Sequence, residues 1–230
     1  MKTIAVIPGA GSGKRFGNVS KAFLPLGGRP VISWVFDLLE KIEEINEVIP
    51  VFKDMDMEKG LKLIEERGYK KIKRIAPGGR ERQDSVFHAL NLITDADIVI
   101  IHDAVRPAAK PELFINLLDS FKDCDGVITG VPVIDTIKEV DKGFVVNTPD
   151  RSRLWLIQTP QAFKFKLLKD SYKKAIKEGL YFTDDSGLIE HYGGKVKVIM
   201  GSYQNLKITV PEDIRILEAI LRSDEDRHRI

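Results

Sequence analysis

A single cysteine, Cys124, is all the thiol chemistry available to this chain of 230 residues. That excludes an internal disulfide framework and a zinc site built from several cysteines. It leaves Cys124 a packing role in a reducing compartment, beside the apolar stretch 126–131. Long uncharged apolar runs are also missing, so no segment reads as a membrane span. The first residues read as strand rather than as a signal peptide, and the expected location is the cytoplasm. Charge of one sign is not in excess: Lys+Arg 36 against Asp+Glu 34 leaves +2. This is not the balance of a nucleic-acid coat, so any basic patch must be local. Internal repeats and low-complexity segments are absent. What remains is 43% hydrophobic, which is ordinary for a globular protein, and long enough to bury a core as one domain over residues 1–230.

Apolar runs and amphipathic segments alternate along the chain. Residues 3–7 are continuously apolar, as in a strand buried on both faces. A helix over 31–39 follows Pro30, which suits a first turn. Then come a strand at 47–52, a helix at 57–67 that ends at Gly68, a strand at 71–76, a helix at 85–92, a strand at 97–102, a helix at 110–121 and a strand at 127–131. This rhythm predicts an α/β fold, an open, mostly parallel Rossmann-like sheet with helices on both faces. It breaks at 136–140 and 144–148, short polar strands around Asp141-Lys142-Gly143, which is a hairpin signal. These predict a projecting β-hairpin arm over about 134–153. A strand at 154–159, helices at 164–177 and 186–191, a strand at 195–200 and a helix at 211–221 complete the chain, with a charged tail, 222–230, expected to fray. Ligands in such folds sit at the carboxyl ends of strands.

The motifs fall on those ends. After the first strand the chain reads Pro8-Gly9-Ala10-Gly11-Ser12-Gly13-Lys14-Arg15-Phe16-Gly17, with Lys21 close behind. Glycine steps let backbone N–H groups close on an anion, and the three cations can stabilise charge that grows during a reaction. The loop therefore predicts a bound polyphosphate. It is not a Walker A loop, because Arg15 stands where Ser or Thr must hold magnesium and Pro8 where the first Gly belongs. A dinucleotide fingerprint fails at Lys14, which occupies the third glycine position. The second motif is Gly78-Gly79-Arg80-Glu81-Arg82-Gln83-Asp84-Ser85. Asp84 or Ser85 can cap the next helix, while Arg82 and Ser85 suit a ribose or base. The third is His102-Asp103-Ala104-Val105-Arg106-Pro107. Asp103 is a candidate magnesium ligand, directly or through water. Arg106 suits a phosphate, or else a salt bridge to Asp103 across the turn. His102 reads as a packed or hydrogen-bonded strand residue with no role. The arm carries Thr136 and Arg151, with Lys138 and Arg153 read as solvated charge, and leads to Gln158-Thr159-Pro160-Gln161. Last come Thr183-Asp184-Asp185-Ser186-Gly187, which can cap a helix, and Lys207, whose apolar neighbours Leu206 and Ile208 suggest that it faces a pocket.

In combination these motifs resemble those of the 2-C-methyl-D-erythritol 4-phosphate cytidylyltransferases of the non-mevalonate isoprenoid pathway, over about residues 4–221. The resemblance implies that Ala10, Gly11, Ser12 and Gly13, with Arg15 and Lys21, hold the triphosphate of CTP. It places Gly79, Arg82 and Ser85 along the cytidine and has Asp103 and Ala104 close the nucleotide site. Asp103, Arg106, Thr159, Thr183, Asp184 and Lys207 would border the sugar phosphate. Thr136 and Arg151 would lie on an arm that, in this family, reaches into the partner subunit of a homodimer. The implied catalytic residues are Arg15, Lys21, Arg151 and Lys207, with magnesium bridging the CTP phosphates. The implied partners are CTP and methylerythritol phosphate, with neither nucleic acid nor membrane. Two positions depart from the pattern: Gly9 stands where many members have Ala, and Arg80 where some carry Asp. The rival readings are a ribitol 5-phosphate cytidylyltransferase, a nucleotidyltransferase for another base or sugar, and a non-catalytic nucleotide-binding regulator. Lys14 disfavours an NAD-dependent dehydrogenase.

Overall fold

The computed structural model describes residues 1–11 and 19–227. Its first strand, β1 (Thr3–Pro8), is buried at five successive positions. A short two-stranded ribbon, β2 (Pro25–Leu26) with β3 (Arg29–Pro30), leads into α1 (Val31–Lys41). The chain continues through β4 (Glu47–Phe52), α2 (Met57–Arg67), β5 (Ala76–Pro77), α3 (Arg82–Leu92), β6 (Ile98–Ile101), α4 (Pro111–Asp119) and β7 (Gly126–Pro132). The arm pairs β8 (Glu139–Asp141) with β9 (Phe144–Asn147). Then follow β10 (Trp155–Lys164), α5 (Phe165–Glu178), α6 (Asp185–His191), β11 (Val196–Met200) and α7 (Glu212–Arg227).

Seven strands form the main sheet in the order β11-β7-β10-β6-β1-β4-β5. All neighbours are parallel except around β10, which runs antiparallel to both β6 and β7. Alternate residues of β1 feed opposite layers, as the two-residue period of a strand requires. Ala5 and Ile7 pack with Phe36 of α1, Leu63 of α2 and Phe114 of α4. Ile4 and Val6 pack with Val86 of α3, Leu168 of α5 and Ile189 of α6. The expected helices on both faces are therefore present, and β6 at the centre with β1 beside it fixes the floor on which the site stands. Among the described residues no helix is long and apolar enough to cross a membrane. Cys124 is buried, with its Sγ 3.8 Å from the Ser120 carbonyl.

Three expected elements differ. The strand expected at 71–76 pairs only at Ala76 and Pro77. Its charged side chains pull the preceding segment into other contacts: Lys71 Nζ reaches the Leu39 carbonyl at 3.1 Å, and Arg74 Nε meets Glu47 Oε1 at 2.6 Å. The strand expected at 154–159 runs on to Lys164, because a register shift between Gln158 and Gln161 lets it keep pairing with β7. The final helix extends through the charged tail to Arg227 rather than fraying at 222. The hairpin turns as its letters ask, with Lys142 at φ 48° and Gly143 at φ 88°, the two left-handed positions of a tight two-residue turn.

Helix α2 packs so closely on the sheet that a Cβ at Gly60 would stand 2.3 Å from the Phe52 ring. Helix propensity alone would make Gly60→Ala stabilising by about 1 kcal/mol. Overpacking against a buried ring costs about 1–3 kcal/mol and acts the other way. Urea unfolding is expected to show a net loss of stability for Gly60→Ala; a gain would contradict the close approach.

Candidate active site

Strand β6 delivers His102 and Asp103 to the carboxyl edge of the sheet, and a hydrogen-bond chain locks them there. The Asp103 N–H donates to Thr159 Oγ1 at 3.0 Å, and Thr159 Oγ1 lies 3.1 Å from His102 Nδ1. His102 Nε2 lies 3.3 Å from the Arg106 carbonyl. A carbonyl can only accept, so the proton belongs on Nε2, and Nδ1 accepts from the threonine hydroxyl. The ring packs edge-on against Phe114 with centroids 5.1 Å apart. His102 is fully buried, and burial pushes its pKa down to about 4. The imidazole is thus a neutral strut that ties the Asp103–Arg106 turn to β10.

Asp103 meets three cations. Lys207 Nζ stands 2.8 Å from Oδ2, Arg106 Nε 3.5 Å from the same oxygen, and Arg82 Nε 3.5 Å from Oδ1. Burial alone would raise the carboxyl pKa, but Arg82, Lys207 and Arg106 outweigh it and hold the group well below the usual carboxylate range. Arg106 also donates from Nη1 to the Asn205 carbonyl at 2.6 Å. The salt bridge across the turn therefore exists, and Arg106 still lines a cavity.

Two cavities meet at this cluster. One, of about 490 Å³, is lined by Ala10, Gly11, Lys21, Gly79, Ser85 and Lys53, among others. The second, of about 610 Å³, is lined by Arg106, Gln158, Thr159, Gln161, Thr183 and Asp184, among others. Arg82, Asp103 and Lys207 belong to both. The first cavity has the charge and the glycine-lined backbone for a polyphosphate. The second combines amides, hydroxyls and cations, which suits a polyol carrying a phosphate.

Several side chains singled out from the sequence also hold the loops in place. Asp84 Oδ2 accepts the Glu81 N–H at 3.0 Å and so caps α3. Ser85 Oγ accepts the Gly79 N–H at 2.9 Å and donates to the Glu81 carbonyl at 3.1 Å, so its hydroxyl pins the glycine turn. A Cβ on Gly79 would lie 2.3 Å from that of Asp84. Asp184 caps α6 by accepting the Gly187 N–H at 3.0 Å and also accepts from Gln161 Nε2 at 3.1 Å. Lys21 Nζ donates to the Ile208 carbonyl at 3.2 Å, from the wall of the first cavity. Ala104 is fully buried and lines neither cavity. Thr136 and Arg151 are exposed on the arm and line neither cavity; Arg151 Nη1 donates to the Ile134 carbonyl at 2.6 Å. Ser12, Gly13, Lys14 and Arg15 lie outside the described residues. Sequence reasoning missed Lys53, which follows the carboxyl end of β4 and was open to the same strand-end rule. It also missed the lining roles of Gln158, Gln161 and Glu190.

Comparison with known proteins gives one consistent result. The sequence matches the family model described as 2-C-methyl-D-erythritol 4-phosphate cytidylyltransferase over residues 3–223. A protein of that name from Syntrophotalea carbinolica is 40% identical over 230 residues, covering 98% of this chain and 99% of its own. Another from Clostridioides difficile is 40% identical over 224 residues, covering 96% and 94%. The crystal structure of 4-diphosphocytidyl-2C-methyl-D-erythritol synthase from Anaerococcus prevotii superposes with a TM-score of 0.85 at 36% identity, covering 96% of each chain.

The neutral histidine has a measurable consequence. The unfolded chain binds a proton at His102 near pH 6.5, whereas the folded chain does so only near pH 4. Between those values the unfolded state holds more protons, so this group removes stability as pH falls from about 6.5 to about 4, by up to roughly 3 kcal/mol. In urea unfolding, His102→Gln is expected to show a shallower loss over that window than the parent. An unchanged slope would contradict the assignment.

Proposed function

The chain belongs to the 2-C-methyl-D-erythritol 4-phosphate cytidylyltransferase family, and we propose that it transfers a cytidylyl group from CTP to 2-C-methyl-D-erythritol 4-phosphate and releases pyrophosphate. The observation that carries this reading is the pair of cavities sharing Arg82, Asp103 and Lys207. CTP takes the cavity beside Gly9–Gly11 and Lys21, and the acceptor takes the cavity beside Thr159 and Thr183. The α-phosphorus then stands at the shared wall, open to in-line attack from the acceptor phosphate.

The attacking phosphate is already an anionic nucleophile, so the reaction needs no strong general base. Its obstacles are repulsion between two anions and the charge that grows at phosphorus. Positioning and electrostatics therefore supply most of the catalysis. Lys21, from the nucleotide side, and Lys207, from the shared wall, fit those tasks; Arg15 is assigned its part from its place in the glycine loop. Ser12 and Gly13 complete the triphosphate cradle on the same basis. Gly79, Arg82 and Ser85 shape the cytidine end, and Arg106 holds the acceptor phosphate.

Magnesium prefers oxygen ligands. Among the described residues no group of three acidic, His or Cys side chains could hold a metal ion. The Asp103 carboxylate is already covered by three cations. These residues do not build a resident magnesium site. A divalent cation would be carried by the CTP phosphates, as magnesium commonly is, and Asp103 would reach it through water.

We assign the arm to a homodimer contact within a single-domain subunit. Phe144 is 78% exposed and Ile134, Val145 and Val146 more than half exposed, an apolar surface that a second copy would cover. Thr136 and Arg151 lie on that arm and line neither cavity of their own chain, which supports a shared site. A single buried thiol suits action in the cytoplasm.

Purified protein is expected to release pyrophosphate from CTP only when methylerythritol phosphate is present. Equal turnover with ribitol 5-phosphate, or binding of CTP without turnover, would contradict the reading. Lys21→Ala should lower kcat about a hundredfold with the fold intact by circular dichroism. Light scattering should report a dimer; a fully active monomer would refute the shared site.

A further inference from the structure

Arg82 opens α3 and lines both cavities, yet Asp103 does not hold it alone. Its Nη1 lies 2.7 Å from Asp185 Oδ2, a closer contact than the 3.5 Å from its Nε to Asp103. Asp185 begins α6 and is 1% exposed. Its Oδ1 accepts the hydroxyl of Tyr172, which is itself buried on α5. The Tyr172 ring stacks on Phe87 of α3, with centroids 6.2 Å apart and planes 3° apart. A chain thus runs from buried Tyr172 and Asp185 through the partly exposed Arg82 to Asp103, across three helices, and ends at the shared wall. Neither Tyr172 nor Asp185 lines the two cavities.

We propose that Asp185 and Tyr172 are positioning residues that aim the Arg82 guanidinium at the junction of the two cavities, where the cytidylyl group is transferred. The inference rests on the cytidylyltransferase reading of the site. An arginine side chain has several rotatable bonds, and ordering it costs conformational entropy. Asp103 cannot supply that order by itself, because its Oδ1 stands 3.5 Å from Arg82 Nε and its Oδ2 is taken up by Lys207 and Arg106. A carboxylate on a different helix, kept from water, holds the guanidinium through a close ion pair. The phenol occupies the other oxygen and sets the plane of the carboxylate. The ring of Tyr172, stacked on the helix that carries Arg82, keeps donor and acceptor in register. An uncompensated carboxylate in this place would be costly, so the chain stands or falls as a unit.

A purely structural tie between helices would affect folding and leave the reaction of the folded protein alone, which gives a test. Tyr172→Phe keeps the stacked ring and removes only the hydroxyl. Asp185→Asn keeps the shape and removes the charge. Each is to be made in the parent and in an Arg82→Gln background, where Asp185→Asn also removes the carboxylate that Arg82→Gln strands. Thermal melts report folding, and kcat and KM are measured for both substrates. The expected result is a fall in kcat of about tenfold for Asp185→Asn and about threefold for Tyr172→Phe, with KM for CTP within about twofold, a coupling in the range for residues sharing one ion-pair network. Both effects should vanish in the Arg82→Gln background. Effects that multiply with Arg82→Gln, or a Tyr172→Phe variant that melts lower yet turns over at the parent rate, would overturn the proposal. Failure of the unsubstituted protein to transfer a cytidylyl group at all would overturn the reading beneath it.

Discussion

Three cations from separate stretches of chain converge on the carboxylate of Asp103: Arg82 from the start of α3, Arg106 from the turn after β6, and Lys207 from the segment between β11 and α7. Like charges would not gather so closely without an anion among them, and a buried carboxylate would not be tolerated without cations about it. The two requirements solve each other. Because β6 is the central strand of the seven and is paired on both edges, the place of Asp103 is set by the sheet. Lys207 and Arg106, and the loops that carry them, then gather on Asp103, while Arg82 is held between Asp103 and Asp185.

In the proposed reading, this arrangement lets one wall serve two anionic ligands. The cations at the wall outnumber the carboxylates, Asp103 and Asp185, that order them, so net positive charge is left for phosphate oxygens. Partial burial makes that charge more effective than it would be in open water. Ordering by internal carboxylates also means that the cations need not be gathered by the substrates themselves. Such preorganisation is the source of electrostatic catalysis wherever charge grows in a transition state. His102 contributes from below, since a neutral ring bonded to Thr159 and to the Arg106 carbonyl adds no charge of its own to the cluster.

Much of this was legible in the letters because local rules govern it. Continuous apolar runs gave β1 and β4 their place inside a parallel sheet, and Gly68 marked the end of α2 through its left-handed backbone at φ 64°. The strand-end rule led to Asp103 and Arg106, and the apolar neighbours of Lys207 suggested a pocket-facing side chain; Lys207 lines both cavities. What stayed hidden depended on contacts distant in sequence. Tyr172 sits on the apolar stripe of α5 and looks like any core aromatic, while Asp185 looks like a helix-capping acid next to Asp184. Only the packing of α5 and α6 against α3 turns them into supports for Arg82. The segment 71–76 carried strand-forming residues, but charged side chains with partners elsewhere left it little ladder to join. Ser85 illustrates a further ambiguity: a hydroxyl suited to a ribose is equally suited to holding a glycine turn, and in this protein it does the latter.

The central claim is that the nucleotide and the sugar phosphate lie on opposite sides of the Asp103 cluster and react across it. The most direct measurement is a crystal structure with a non-hydrolysable CTP analogue and methylerythritol phosphate bound together. The account predicts the α-phosphate at the wall formed by Arg82, Asp103 and Lys207, with the acceptor phosphate facing it from the cavity beside Thr159 and Thr183. An α-phosphate lodged away from that wall, or both ligands competing for one cavity, would contradict it.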